Sequence, residues 1–498
     1  MSAGIPGFQT NLELKNEMNR PLRVMKFGGT SVGDASCIAR VAQIVKDASR
    51  EGPVVVVVSA MSGVTNRLIE AAKKSENGER DPASAVFEAL RKQHDAALGA
   101  LIQSKERRSQ LAARVEDIFD EGERLCKGTA LLRELTPRTL DAVSSLGERL
   151  SAPMVAGALE ELGVRSESVE ATDLIVTDPY HGGADPIMDR TREHCETRLR
   201  PLLQEGVVPV VTGFIGATID GVLTTLGRGG SDYSATILGA AIGADEIIIW
   251  TDVDGVLTAD PRLVSEARTI PEISYREATE LAYFGAKVLH PKTLRAVVRQ
   301  GIPVWIRNSF SPDKSGTKIT PKGRTNGGGV KALTAIKDVT LISLGGPGIV
   351  GVPDVVGRTF STTAEVHANV LLISQSSSQN DICFIVASTD AKRTVDALRK
   401  EFAQDVAHEK VEHITVDPNI AIVAVVGENM RGTPGVAGRV FIALGQENVN
   451  IIAIAQGSSE SNISFVVAEQ DMKAALVATH REFGLGATAA REQRVQVS

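Results

Sequence analysis

Short aliphatic runs punctuate the first 310 residues of the chain: Leu22–Phe27, Val54–Ser59, Val207–Gly213, Ile247–Thr251 and Pro303–Asn308. Each gives way to Gly, Ser or Thr and then to a helical pattern. Their hydrophobicity is continuous rather than alternating, which predicts strands buried on both faces, as in a parallel sheet covered by helices. The expected fold is therefore α/β, an open and mainly parallel sheet sandwiched by helices, over residues 21–310.

Two stretches break this rhythm. Residues 79–135 are rich in Ala, Leu, Glu and Arg with few Gly or Pro, which predicts a pair of helices laid on the sheet domain. Residues 311–330 are rich in Pro, Gly and Lys and have the composition of a linker. Beyond them the sequence repeats itself. Gly351, Pro353, Val355, Gly357, Arg358 and Phe360 recur 81 residues later as Gly432, Pro434, Val436, Gly438, Arg439 and Phe441. The same spacing maps Asn369 to Asn450, Ile373 to Ile454, Gln375 to Gln456, Ser377 to Ser458, Ser378 to Ser459 and Phe384 to Phe465. Two copies of one small domain are expected, over 331–410 and 411–498, each with a ferredoxin-like βαββαβ pattern. Residues 1–20 lack the apolar segment of a signal peptide and are expected to be a loose tail.

Composition narrows the function. The 498 residues carry 54 Lys+Arg against 61 Asp+Glu, a net charge of −7, which argues against a general nucleic-acid binder. No apolar run approaches the roughly 20 residues of a membrane-spanning helix. Cys37, Cys126, Cys195 and Cys383 are scattered, and so are the eight His, so no transition-metal site and no redox pair is expected. Isolated thiols of this kind fit a cytoplasmic protein. Aromatics are few and Gly is abundant at 46, which predicts aliphatic cores and many backbone positions open to close approach.

Candidate chemistry gathers at glycine-rich turns. Lys26-Phe27-Gly28-Gly29-Thr30-Ser31 closes the first strand; exposed amides near a helix start, beside a lysine, suit a phosphate. Lys26 precedes the glycines, so this is not a P-loop. Thr224–Asp232 sets Arg228 among Gly227, Gly229 and Gly230 ahead of a helix, where a guanidinium suits a carboxylate or phosphate. The plainer reading there is a capped turn with Ser231 or Asp232 as N-cap. Trp250–Thr258 places Asp252 and Asp254 just past a strand end, suited to ribose or metal contacts or simply to an Asp-Gly turn. Glu148, in Ser145–Arg149, would by itself be an ordinary solvated helix residue. All these turns follow strands of one sheet and can meet at its carboxyl edge, where open α/β sheets bind ligands.

The strings VMKFGGTSV, VVVVVSAMSGVTN, LGERLSA, TTLGRGGSDYSA, WTDVDGVLTADPR and AYFGAKVLHP together resemble the aspartate kinases of the amino-acid kinase superfamily, over residues 23 to about 470. The duplicated C-terminal segments look like the tandem ACT regulatory domains of that family, and the expectation is a chain without the homoserine dehydrogenase portion of the bifunctional members. The resemblance implies transfer of the ATP γ-phosphate to the β-carboxylate of L-aspartate, the first step of lysine, threonine and methionine biosynthesis. It implies that Lys26 stabilises the transferring phosphoryl group, with Gly28 and Gly29 supplying amides. Ser59, Thr65, Glu148, Arg228 and Asp232 match aspartate-site positions, with Arg228 on the α-carboxylate and Glu148 and Asp232 on the α-amino group. Thr251, Asp252, Arg262 and Lys287 match ATP-site positions, and Mg²⁺ would arrive with the nucleotide. Leu257 stands where several relatives have Tyr.

The resemblance also implies feedback control by lysine, threonine or both at paired ACT strands, with Gln375 and Gln456 as effector contacts, and a homodimer or larger assembly. A polar strand residue in a structural interface is the plainer reading of both glutamines. The alternatives are another amino-acid kinase on the same fold, or an inactive amino-acid sensor.

Overall fold

The computed structural model describes residues 20–79, 81–285, 289–324, 329–346, 353–375, 381–430, 432–456 and 461–486. Lys287, residues 1–19 of the tail, and the repeat residues Gly351, Ser377, Ser378, Ser458 and Ser459 lie outside them. The chain divides into two compact units. The first comprises residues 1–256, 271–275 and 288–323; the second comprises 257–270, 276–287 and 324–498.

The first unit is built on an eight-stranded sheet. Its strands are β1 (Arg23–Phe27), β2 (Val54–Val58), β3 (Ser166–Val169), β5 (Val208–Thr212), β8 (Glu246–Thr251), β9 (Glu272–Ser274), β10 (Val304–Asn308) and β11 (Thr317–Thr320). They lie in the order β3-β5-β2-β1-β8-β10-β11-β9. Every neighbouring pair is parallel except β10 with β11. A small second sheet holds β4 (Val176–Thr177), β6 (Ile215–Thr218) and β7 (Leu223–Thr225).

The five valines of β2 are all buried. Val54, Val56 and Val58 face one core with Met25 and Phe27, Ile38 and Val41, Leu68, and Leu146 and Leu150. Val55 and Val57 are buried outside that cluster. This two-sided burial is why the runs lack alternation. The helical pair expected over 79–135 is present as Asp81–Leu101 and Lys105–Leu132. It extends the first core through Phe87 and Phe119, whose rings meet edge to face.

The second unit carries a six-stranded antiparallel sheet ordered β13-β14-β12-β15-β17-β16. The strands are β12 (Ala332–Gly345), β13 (Val370–Gln375), β14 (Asp381–Ala387), β15 (His413–Val426), β16 (Ala453–Ala455) and β17 (Asn462–Ala468). The 14-residue strands β12 and β15 each serve both repeats. Residues 339–345 of β12 pair with β14, while residues 332–336 pair with 422–426 of β15. Residues 420–426 of β15 pair with β17, while residues 413–417 return to β12. The first repeat thus closes on the start of β15. The second repeat takes its fourth strand from residues 332–336, ahead of the first repeat in the chain.

The duplication extends beyond the motifs visible in the sequence. Arg358 Nε meets Glu401 at 2.7 Å and its guanidinium lies 4.5 Å from the Phe402 ring centre. Arg439 repeats this with Glu482 at 2.7 Å and Phe483 at 4.4 Å. The second unit also includes the helix Tyr275–Tyr283 from Arg276 onward, and residues 257–270. Glu277 there pairs with Lys331 at 2.7 Å, and Ala259 and Val264 join the core formed by Val423, Phe465 and Leu476.

Candidate active site

Parallel strands end on one edge, and the register aligns the ends closely. Phe27 pairs with Val58 and with Trp250, and Val58 pairs with Thr212. The residues that follow, Gly28, Ser59, Gly213 and Thr251, therefore share the carboxyl edge of the first unit's sheet. A cavity of about 410 Å³ opens there, within the range of small-molecule sites. Lys26, Ser59, Thr65, Glu148, Arg228 and Asp232 all line it.

Local sequence explains how each arrives. Lys26 is the fourth residue of β1 and is 8% exposed. The helix Gly230–Ile242 has Gly229 as its N-cap at φ 72°, without a side-chain cap bond. Asp232 is therefore not the cap that the plainer sequence reading allowed. It lies in the first turn, where a carboxylate is favoured by the helix dipole, and its Oδ1 stands 2.5 Å from Lys26 Nζ. Gly229 is required twice. Its φ is left-handed, and a Cβ would come within 2.5 Å of His290 Cβ.

Glu148 lies in the helix Pro137–Glu161 and is 4% exposed, contrary to the solvated helix residue that its local sequence suggests. Burial follows from close helix packing: a Cβ at Gly147 would sit 2.6 Å from Ala60 Cβ. Ser151 Oγ on the same helix donates to the Ser59 carbonyl at 2.7 Å. Burial pushes the Glu148 carboxyl up to about 8. Amide donation from Ala60, the Lys26 charge and the Ser231 hydroxyl act in the opposite direction. Glu148 Oε2 is buried without a hydrogen-bond partner in the described structure. Arg228 is exposed, and among the described residues no carboxylate pairs with it.

The glycines after β1 differ from each other. Gly28 donates its amide to the Trp250 carbonyl at 3.2 Å, so the β1–β8 ladder continues one residue and this N–H is occupied. That corrects the expectation that both glycines offer free amides. Gly29 donates to no backbone carbonyl among the described residues, and a Cβ there would stand 3.1 Å from the Ala60 carbonyl. Thr251 ends β8 and Asp252 follows it, with Thr251 Oγ1 donating to Asp252 Oδ1 at 3.2 Å. Asp254 is held below the usual carboxylate range by Lys314 and by the Asn308 amide.

Arg262 belongs to the second unit, exposed and clamped on Asp260 at 2.6 Å. Gln375 and Gln456 are both exposed, at matched ends of β13 and just past β16. The neighbouring Ser374 Oγ donates to the Ile454 carbonyl at 3.3 Å.

Two residues were not singled out by sequence reasoning. Asp141, buried on the cavity wall, looks like any helix Asp in the sequence. His290 closes over Gly229. Burial, then Lys292 and Arg228, hold its imidazole below the ordinary value, with Asp232 opposing. Among the described residues no helix is long and apolar enough to cross a membrane.

A model of the amino acid kinase family matches residues 21–308, and an ACT domain model matches 342–402 and 423–483. A bifunctional aspartokinase/homoserine dehydrogenase of Arabidopsis thaliana is 38% identical over 473 residues, 93% of this chain and 51% of the relative. The chain thus spans about half the length of several of the curated relatives it matches. Aspartokinase 1 of the same plant is 32% identical over 92% of this chain and 80% of its own. The structure of E. coli aspartokinase III in complex with aspartate and ADP matches with a TM-score of 0.77 and 33% identity. It covers 93% of this chain and 99% of its own. With both domain types in place and this similarity running through both, the chain belongs to the aspartokinase family.

Proposed function

We propose that this chain transfers the γ-phosphoryl group of ATP to the β-carboxylate of L-aspartate. The observation that carries the reading is one cavity holding the Arg228 guanidinium, the unpartnered buried oxygen of Glu148 and the Lys26–Asp232 pair. An α-amino acid presents a carboxylate and an ammonium group to just such a set. Arg228 takes the α-carboxylate bidentately. Glu148 and Asp232 take the ammonium, with Ser59 and Thr65 as hydroxyl contacts.

The nucleophile needs no base. A β-carboxylate has an unperturbed pKa of about 3.9 and is ionised at neutral pH. What remains is positioning and charge neutralisation. Lys26 meets the charge on the transferring group, and the Gly29 amide adds a dipole. Thr251 and Asp252 bind the nucleotide beside them. Mg²⁺ would ride on phosphate oxygens, which suits its preference for few protein ligands; among the described residues no group of three His, Cys, Asp or Glu stands ready as a cage. Bound there, it would neutralise phosphate charge.

The ACT pair binds an end-product amino acid, lysine or threonine, through Gln375 and Gln456, and the chain assembles as a homodimer or larger. Relatives include an E. coli aspartokinase III structure with lysine and aspartate. Four free cysteines fit a reducing, cytoplasmic setting.

The test is ATP- and Mg²⁺-dependent formation of hydroxamate from aspartate trapped with hydroxylamine, with glutamate as control and with lysine and threonine added. Aspartyl hydroxamate alone is expected. Product from glutamate instead, or from neither, overturns the reading.

A further inference from the structure

Asp141 lies on the helix Pro137–Glu161, seven residues ahead of Glu148 and so on the same face. Its side chain is 3% exposed. The helix start has no need of it, because Thr136 already supplies the N-cap. Aspartate is a poor residue for a helix interior, and a buried carboxylate is costly unless it is hydrogen-bonded. Here four groups donate to it. His181 Nδ1 stands at 2.7 Å and the Gly182 amide at 3.1 Å from each oxygen. The Thr225 amide stands at 3.2 Å and the Thr225 hydroxyl at 2.5 Å.

These donors come from two separate segments. His181 and Gly182 belong to the loop after β4, and Thr225 ends β7, three residues before Arg228. The segments also touch directly. The Ala184 amide donates to the Thr225 carbonyl at 2.9 Å. A Cβ on Gly227, whose φ is 78°, would meet the Gly182 carbonyl at 3.0 Å. The loop and the glycine-rich turn thus lie backbone to backbone, and Asp141 is their shared acceptor.

We infer that Asp141 is the positioning residue that fixes the Arg228 turn over the cavity, setting affinity for the α-carboxylate of the substrate through Thr225, His181 and Gly182. It does so without touching the reacting atoms. The inference rests on the aspartate-kinase reading for its effect on affinity, but not for its effect on the turn.

The test compares the full chain with Asp141→Asn, Thr225→Val and Thr225→Ser in initial-rate kinetics and amide hydrogen exchange. Asn keeps the shape but loses the charge and replaces one of the two acceptor oxygens with a donor. Asp141→Asn is expected to raise KM for aspartate about tenfold or more, and Thr225→Val about threefold or more. Both should leave kcat and KM for ATP within about twofold. Thr225→Ser keeps the hydroxyl and should match the parent. Exchange at residues 226–230 should quicken in the first two variants and not in the third. If Asp141→Asn fails to fold, the Thr225 pair decides. An unchanged KM for aspartate in Thr225→Val, or an equal rise in KM for ATP, overturns the inference. Were the parent chain inactive on aspartate, the proposed function would fall, and unchanged exchange at 226–230 would separately defeat the positioning role.

Discussion

Lys26 Nζ stands 2.5 Å from Asp232 Oδ1, tying the end of β1 to the first turn of the helix Gly230–Ile242. The contact is an ion pair rather than a well-aimed hydrogen bond, since Asp232 Oδ1 has no hydrogen-bond partner in good geometry. Both side chains are mostly buried, at 10% and 16% exposure. The ammonium is thus held at the cavity by a carboxylate that a bound substrate ammonium could share. Lys26→Ala should lower turnover by about 10³-fold or more, while circular dichroism shows the fold retained. Near-normal hydroxamate formation by that variant would overturn the site assignment.

Glu148 makes a distinct prediction about pH. Its carboxyl is raised to about 8 by burial, so in the free chain it is neutral at pH 7. Binding an ammonium group favours the ionised form, so aspartate binding should expel a proton. KM for aspartate should fall as pH rises from about 6 to about 8, by up to tenfold per unit, and Glu148→Gln should flatten the profile. The stability sign follows from the raised value. The folded chain keeps a proton that the unfolded chain releases, so this contribution is complete below the ordinary 4.5 and is lost as pH rises through about 8. A melting temperature with the same pH slope in parent and Glu148→Gln would contradict it.

His94 pulls stability the other way. Its ring is fully buried on the helix Asp81–Leu101, with Nδ1 2.7 Å from the Leu90 carbonyl and Nε2 without a partner. Burial depresses its pKa below 6.5. The unfolded chain binds the proton more readily, so the contribution is present above pH 6.5 and is lost as pH falls through the depressed value. His94→Leu should therefore reduce acid destabilisation in urea titrations below pH 6.5. An unchanged acid limb would show that His94 does not govern it.

Glu277 and Lys331 form a pair with side-chain exposures of 0% and 3%. Glu277 Oε1 also accepts the Glu428 amide at 2.9 Å, so one carboxylate joins three segments of the second unit. Removing one partner of a buried pair leaves an uncompensated charge. Lys331→Met alone should cost about 3–5 kcal/mol in denaturant unfolding, and adding Glu277→Leu should recover part of that. Strictly additive losses would argue that the pair is not coupled.

Much of the first unit was legible from local chemistry. Unbroken valines announced a two-sided sheet, and glycines at strand ends announced the cavity edge. Lys26 could be placed there because its sequence neighbours carry it to that edge; Arg228 reaches the same cavity from β7, which belongs to the small second sheet and not to the single sheet expected. Glu148 and Asp141 could not, because their burial depends on where Ala60, Thr225 and Gly182 approach the helix from far away in the chain. The Gly28 amide looked free because its acceptor, Trp250, belongs to a strand more than 200 residues later. Residues 257–270 follow a nucleotide-loop motif in sequence yet fold with the second unit, since Ala259 and Val264 complete its core. Their composition carries no sign of that destination. The duplication was plain, but which strand closes each copy was not, because local pattern carries no pairing information.

The shared use of β12 and β15 has a consequence for how the repeats behave. Units of some 60 residues are marginal on their own, and each would here lose an edge strand if separated from the other. The two copies should therefore melt as one cooperative block, with a single calorimetric peak, and a nick between Phe402 and Val411 should release no autonomous fragment. Counted by sequence they are two domains; counted by thermodynamics they are one.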